Sequence, residues 1–295
     1  MIGSNEMKKE TIFALIFLCL SFSGCSKNKV VSQAKQDVIM NNTVTEQDKS
    51  ANPQTKPVNP EIEKLAKVIS SMSERCKADM ADGTLEELLS DLHKVLEVEA
   101  FFPNDDLSLY FLIDKKHSVD EDYVPAHLVK LQSNDYYVVN KKDIYLREDA
   151  EAALREMAGN AKADGITLDV SSTYRSYAYQ KRLFDYWVSV DGLEEAERES
   201  ARPGTSQHQL GVAIDFGSID DDYDKTPGGR WMYENAWKYG WSLSFPKNYE
   251  DVTGYRWECW HFRYIGVEAC RFQKKWFSDV QQYMLEFIDE WKKQS

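Results

Sequence analysis

Apolar positions from Glu61 onward recur at intervals that separate helices from strands. Leu65, Val68, Ile69 and Met72 fall at helical spacing, as do Leu85, Leu88, Leu89, Leu92 and Leu96, with Gly83 between the two runs. They predict a helical pair whose apolar stripes are core contacts. Residues 136–139 are a short strand candidate. Asp149 to Lys162 predicts a helix with Ala150, Ala153, Leu154, Met157 and Ala161 on one face, and Gly165 is placed to end it. Ile166 to Val170 alternates as a strand. Gln180 to Val190 is helical, with Leu183, Phe184, Trp187 and Val188 directed inward. Val212 to Phe216 predicts a strand, Arg230 to Tyr239 a helix stopped by Gly240, and Trp241 to Phe245 another strand. Val280 to Trp291 is a final amphipathic helix. Helices and strands interleave without a regular βαβ rhythm, and no internal repeat is visible. The predicted fold class is therefore α+β, a small antiparallel-rich sheet flanked by helices.

The first sixty residues follow a different pattern. Lys8 and Lys9 precede an apolar run from Ile12 to Phe22 that ends in Ser23-Gly24-Cys25. A charged start, a short apolar stretch and small residues at its end describe an export signal. A membrane-spanning helix needs roughly 20 apolar residues, more than this run offers. The cysteine directly after Ser-Gly resembles a bacterial lipobox, in which Cys25 is acylated and becomes the mature N-terminus. Phe22 departs from that motif, which usually carries an aliphatic residue there; a plain secretory signal or an uncleaved anchor is the alternative. Residues 25–60 are rich in Lys, Asn, Gln, Ser and Thr, with Pro53, Pro57 and Pro60, and have the composition of a flexible tether. The expected organisation is a signal at 1–24, a linker at 25–60, a helical extension at 61–119 and a main domain at 120–295.

Composition narrows the function. Hydrophobic residues make up 42% and aromatics 13%, enough for a packed core over most of the length. A net charge of −13 argues against nucleic acid, whose phosphates need a basic face. After the signal, Cys76, Cys259 and Cys270 remain. An odd number cannot all pair within one chain, and no CxxC spacing marks a thiolate metal site. A Cys259–Cys270 disulfide and buried free thiols are both open.

Of the five histidines, two stand in chemically suggestive company. His208 precedes Asp215 in Ser206-Gln207-His208-Gln209-Leu210-Gly211-Val212-Ala213-Ile214-Asp215, and Glu258 precedes His261 in Trp257-Glu258-Cys259-Trp260-His261. A catalytic zinc takes three protein ligands from His, Asp or Glu and keeps a fourth position open. His208, Asp215 and His261 would supply that set, with Glu258 as the general base. Asp215 shares one side of its strand with Gly211 and Ala213, whose small side chains leave room for a pocket. Glu258 and His261 would face opposite ways in a flat strand, so a turn or bulge is expected at Cys259-Trp260. Taken singly, such residues are usually hydrogen-bonded core histidines or turn-forming aspartates. His93, His117 and His127 lack comparable neighbours and carry no predicted chemistry.

The block Ser206-x-His208-x-x-Gly211-x-Ala213-x-Asp215, followed by Glu258-x-Trp260-His261, resembles the VanY-type D-alanyl-D-alanine carboxypeptidases of the LAS group of zinc metallopeptidases. Ser172-Thr173-Tyr174-Arg175-Ser176-Tyr177 with Gln180, Ala201-Arg202-Pro203-Gly204, Asn235-Ala236, Tyr239-Gly240-Trp241 and Thr253-Gly254-Tyr255 match further landmarks, in order, over residues 120–270. The family often has Pro where Cys259 stands, which relaxes the backbone there but removes no chemical group. The resemblance implies zinc on His208, Asp215 and His261, Glu258 as base, Arg175 for substrate and oxyanion, and Ser206 and Gln180 for substrate. It implies peptidoglycan stem peptides as partners, at the extracytoplasmic face of a bacterial envelope. Two alternatives accompany it: an L,D-carboxypeptidase of the same family acting on tetrapeptide stems, and a non-catalytic wall-binding lipoprotein.

Overall fold

The computed structural model describes residues 59–294. The expected export signal, Cys25 and nearly all of the expected 25–60 linker lie outside the described residues.

The described residues open with three helices: α1 (Pro60–Ser71), α2 (Glu74–Asp79) and α3 (Leu85–Glu99). The short α2 interrupts the expected pair. Its N-cap Ser73 accepts from the Cys76 amide, and Cys76 is buried. Helix α3 opens with a reciprocal cap: the Thr84 hydroxyl accepts from the Glu87 amide, and the Glu87 carboxylate accepts from the Thr84 amide. Then follow β1 (Leu128–Lys130), β2 (Tyr137–Val139), β3 (Tyr145–Arg147), α4 (Glu148–Ala163), β4 (Leu168–Ser172), α5 (Tyr177–Asp191), α6 (Leu193–Glu199) and β5 (Ala213–Phe216). The chain closes with α7 (Pro227–Asn235), β6 (Trp241–Leu243), α8 (Glu250–Thr253), β7 (His261–Tyr264), α9 (Val267–Trp276) and α10 (Gln281–Lys293).

The main sheet has strand order β2-β4-β5-β7-β6. Only β2 and β4 run parallel; every other neighbour is antiparallel, as expected for an α+β chain. Strands β1 and β3 make a separate antiparallel pair. Alternation along the central strands divides the chemistry. Ile214 of β5 lies opposite Phe262 of β7, and the Phe216 ring meets both Phe262 and Trp241 edge-on, with centroids 6.0 and 6.2 Å apart. This is the apolar face. On the other face the registers Ser172↔Asp215 and Asp215↔His261 align three polar residues across β4, β5 and β7.

The N-terminal helices share one core with the C-terminal ones. Helix α3 packs on α9 and helix α1 on α10, and Leu65, Leu88 and Leu92 are fully buried in the same cluster as Trp276, Phe287 and Ile288. Gly83 permits this docking: a Cβ there would lie 2.4 Å from the Trp276 ring. Cys76, Cys259 and Cys270 are all free and buried, so Cys259 and Cys270 are not bridged. No helix among the described residues is long and apolar enough to cross a membrane.

Candidate metal centre and catalytic cleft

Asp215 sits in the middle of the sheet on β5, directly opposite His261, the first residue of β7. His208 comes from a 3-10 turn, Gln207–Leu210, just before β5. That turn ends on Gly211 at φ +68°, a left-handed geometry that sends the chain straight back into the sheet. The three side chains offer ligand atoms lying within 4.8 Å of one another, all buried. Asp215 Oδ1 is 3.2 Å from His208 Nε2 and 3.1 Å from His261 Nδ1. The two imidazoles stand nearly perpendicular, at 89°, with centroids 4.8 Å apart.

The nitrogens facing away from this cluster are occupied. His208 Nδ1 lies 2.7 Å from the Thr173 carbonyl oxygen, which can only accept, so Nδ1 carries the proton and Nε2 presents a lone pair. His261 Nε2 lies 3.2 Å from Gln207 Oε1 and donates to it, leaving Nδ1 for the cluster. Gln207 is held in turn by Ser244 Oγ at 2.7 Å and by Gln281. Orientation of metal-binding histidines through the distal nitrogen is the expected outer support of a metal site. Burial, followed by the nearby Arg175 charge, holds His208 down at about 4, so its ring is neutral. Burial alone would raise Asp215, but the groups around it, with the Arg175 guanidinium donating to Oδ2, outweigh burial and keep the carboxyl ionised, well below its usual range. A neutral imidazole and an ionised carboxylate are the protonation states a metal requires. Two nitrogens and one carboxylate oxygen, supported in this way, fit zinc.

Glu258 joins the cluster as expected. The chain turns at Cys259-Trp260, bringing Glu258 Oε2 to 3.5 Å from His261 Nδ1. Burial and then the Asp215 charge push the Glu258 carboxyl well above its ordinary value. Arg175 lies on the same side: its Nη2 donates to Asp215 Oδ2 and to His208 Nε2, each at 2.7 Å. Its Nε donates to Ser172 Oγ at 3.1 Å and its Nη1 to Gln180 Oε1 at 3.1 Å.

Gln180 departs from expectation. It is fully buried and does not line the cleft; its amide nitrogen is used on Ser200 Oγ and the Ala201 carbonyl. It stands behind Arg175 and orients the guanidinium, so the structure gives it no contact surface for substrate. Ser206 does line the cleft, with its hydroxyl accepting from the His208 amide at 3.3 Å.

The cleft encloses about 470 Å³. Of the α5 residues expected inside, only Phe184 is buried; Leu183 and Trp187 are half-buried and, with Tyr179, form a cleft wall. Arg256 lines the cleft while pairing with Glu199 and Asp221, both at 2.8 Å, which ties the segment between β5 and α7 to the rim. His93, His117 and His127 pair with Glu61, Asp114 and Asp105 and are not part of the metal cluster. Reasoning from the sequence missed Gln207 and the α5 wall. Gln207 had a signal, its place between Ser206 and His208, but its distal role depends on the fold.

A buried three-ligand metal centre with a carboxylate and a guanidinium at its edge, set in an open cleft, defines a metallohydrolase site. Residues 143–267 match the family model described as VanY, D-alanyl-D-alanine carboxypeptidase. The chain is 33% identical over 206 residues to the putative carboxypeptidase YodJ of Bacillus subtilis (strain 168), covering 68% of this chain and 75% of that protein. It is 30% identical over 179 residues to a D-alanyl-D-alanine carboxypeptidase of Enterococcus faecium, covering 59% and 56%. Among solved structures it is similar to the LdcB LD-carboxypeptidase, with 34% identity, a TM-score of 0.54, and coverage of 61% of this chain and 85% of that one. The chain belongs to the VanY family of carboxypeptidases.

Proposed function

We propose that this chain is a zinc-dependent D,D-carboxypeptidase that removes the terminal D-alanine from peptidoglycan stem peptides. The observation that carries this reading is the convergence of His208 Nε2, Asp215 Oδ1 and His261 Nδ1 with Glu258 and Arg175 in one cleft. Zinc supplies Lewis-acid polarisation of the scissile carbonyl and eases deprotonation of water at neutral pH. His208, Asp215 and His261 would hold it.

The chain's own residues do the rest. Glu258 Oε2, on a buried carboxyl at the edge of the ligand cluster, takes the proton of the attacking water and returns it to the departing amine. Arg175 offers fixed donors to the oxygen on which charge develops, held in place by Ser172 and Gln180. An exopeptidase must also recognise a free carboxylate, and Ser206, which lines the cleft, takes that role. Tyr179, Leu183 and Trp187 pack along the peptide and exclude water.

The similarity to the LdcB LD-carboxypeptidase favours a second reading, removal of the fourth residue from tetrapeptide stems. One experiment tests both: zinc-loaded protein is mixed separately with pentapeptide and tetrapeptide muropeptides, and loss of alanine is followed by mass spectrometry. Shortening of the pentapeptide alone supports D,D activity, and shortening of the tetrapeptide alone assigns L,D activity. If neither shortens, the chain is a wall-binding protein without this chemistry.

The location follows from the substrate and the N-terminus: the chain is exported, acylated on Cys25, and tethered at the extracytoplasmic face by residues 25–60. Cys25→Ala should release the protein from membranes and remove the lipid mass. Unchanged membrane association of that variant would sink the anchor.

A further inference from the structure

The catalytic cleft differs at its two ends. The aligned residues Ser172, Asp215 and His261 on β4, β5 and β7 mark its middle. Beyond His261 the lining is buried. The Phe245 ring packs against His261 and Tyr255, with centroids 4.8 Å from each, and Gln282 Nε2 donates to Asp114 Oδ2 at 2.8 Å. Beyond Ser172 the lining is exposed, with Lys141, Tyr179 and Ile219 open to solvent. Hydrogen bonds fix this open end. Asn140 Nδ2 donates to Ser171 Oγ at 2.9 Å, and Ser171 Oγ donates to the Gly217 carbonyl at 2.6 Å. The segments bearing Lys141 and Ile219 are thereby both held to the end of β4.

A carboxypeptidase releases one small residue and keeps the rest of its substrate. The closed end suits the departing residue, so the retained stem leaves through the open end. This orientation rests on the function proposed above.

Lys141 is singular among the charged side chains that line the cleft. Arg175 pairs with Asp215, Arg256 with Glu199 and Asp221, and Asp114 with His117, while Glu258 lies beside His261. Lys141 makes no ion pair or hydrogen bond among the described residues. An unpaired lysine on open surface calls for no explanation, but this one stands on the path of the substrate. The chain carries a net charge of −13, so an anionic peptide approaches it against a repulsive field. An uncommitted cation on that path offsets the repulsion locally and separates a carboxylate from its neutral amide.

We propose that Lys141 is a specificity-determining residue that pairs with a carboxylate on the retained part of the stem peptide. Two positions of a stem carry one. A γ-linked D-glutamate has a free α-carboxylate, and diaminopimelate, where it is the third residue, has a second carboxyl group. Both present the same chemistry to an ammonium. The contact lies away from the scissile bond, so it acts on binding rather than on bond cleavage.

The test gives the zinc-loaded full chain stem peptides that differ in one group, a free carboxylate or its amide. The change is made first at the glutamate and then at diaminopimelate, in pentapeptides and tetrapeptides. At low ionic strength the native chain should prefer the free carboxylate at one position by about three-fold in kcat/KM. That is the size of one solvent-exposed ion pair, and KM should carry it. The position that matters identifies which carboxylate is read. Lys141→Ala should abolish the preference, Lys141→Glu should invert it, Lys141→Arg should keep it, and high salt should weaken it. Equal treatment of carboxylate and amide at both positions by the native chain overturns the inference, as does a preference that survives in Lys141→Ala. If no peptide is shortened, the proposed function fails, and calorimetric affinities of the same peptides decide the role of Lys141 by the same ratios.

Discussion

Glu258 and Gln207 reach His261 from opposite sides, and their substitutions should separate chemistry from metal binding. Glu258 Oε2 lies 3.5 Å from Nδ1 of His261 but is not one of the three grouped ligands. Glu258→Gln preserves shape and should keep zinc content and melting temperature while lowering kcat by about 10²- to 10⁴-fold, the usual worth of a general base. Near-native turnover in that variant would remove Glu258 from the mechanism. Gln207 accepts from His261 Nε2 and is locked by Ser244 and Gln281. Gln207→Ala should weaken zinc binding by about 10- to 100-fold in chelator competition, with kcat near native once zinc is saturating. The grouping of His208, Asp215, His261 and Glu258 was legible in the sequence because residue type and local spacing carry it. Gln180 was not: its identity suggests a substrate contact, and only its burial behind Arg175 shows that it positions the guanidinium instead.

Secondary elements were legible where periodicity runs long enough to be read. Helix α4 and helix α10 lie within two residues of their expected ends because their apolar faces persist over three or more turns. Strands β1, β3 and β7 span three or four residues each, too short for alternation to stand out, and their identity comes from pairing partners distant in sequence. Helix α9 shows a helical pattern at Ala269, Cys270, Phe272 and Trp276, yet its partner, the N-terminal α3, is far away in the chain. Asp91 ties those two helices, accepting from Lys275 Nζ at 2.6 Å and from the Trp276 indole at 3.0 Å while also bonding Lys94. Burial would raise the Asp91 carboxyl, but the hydrogen bonds from Lys275, Lys94 and Trp276 outweigh it and set the value at about 2. A carboxyl depressed in the folded state stabilises above its unfolded pKa of roughly 3.9, and that contribution is lost as pH falls towards 2. Asp91→Asn should therefore melt below the native protein at pH 7, with the gap closing between pH 4 and pH 2. A gap that persists unchanged to pH 2 would show that the ion pairs contribute nothing to docking α3 on α9.

At the scale of the molecule, the sheet brings together three candidate ligands that lie far apart in sequence, and a bound ion would add a further tie between them. His208 comes from a turn, Asp215 from the sheet centre and His261 from the strand after the Glu258 turn, so one bound ion spans more than fifty residues of sequence. The unfolded chain cannot present these ligands together, and zinc binding is therefore linked to folding. With free zinc at a thousand times its dissociation constant, the linkage adds about 4 kcal/mol. For a domain of this size each kcal/mol moves the midpoint by about 2 to 4 °C, so chelation should lower the melting temperature by on the order of 10 °C and added zinc should restore it. Asp215→Ala removes the one ionised ligand, and its melting temperature should be insensitive to both treatments. The comparison must be made between treated and untreated samples of one variant, because Asp215→Ala also leaves Arg175 without its carboxylate partner. If the native protein melts at the same temperature with and without zinc, the ion does not bridge these elements, and the three side chains converge for a reason other than holding a metal.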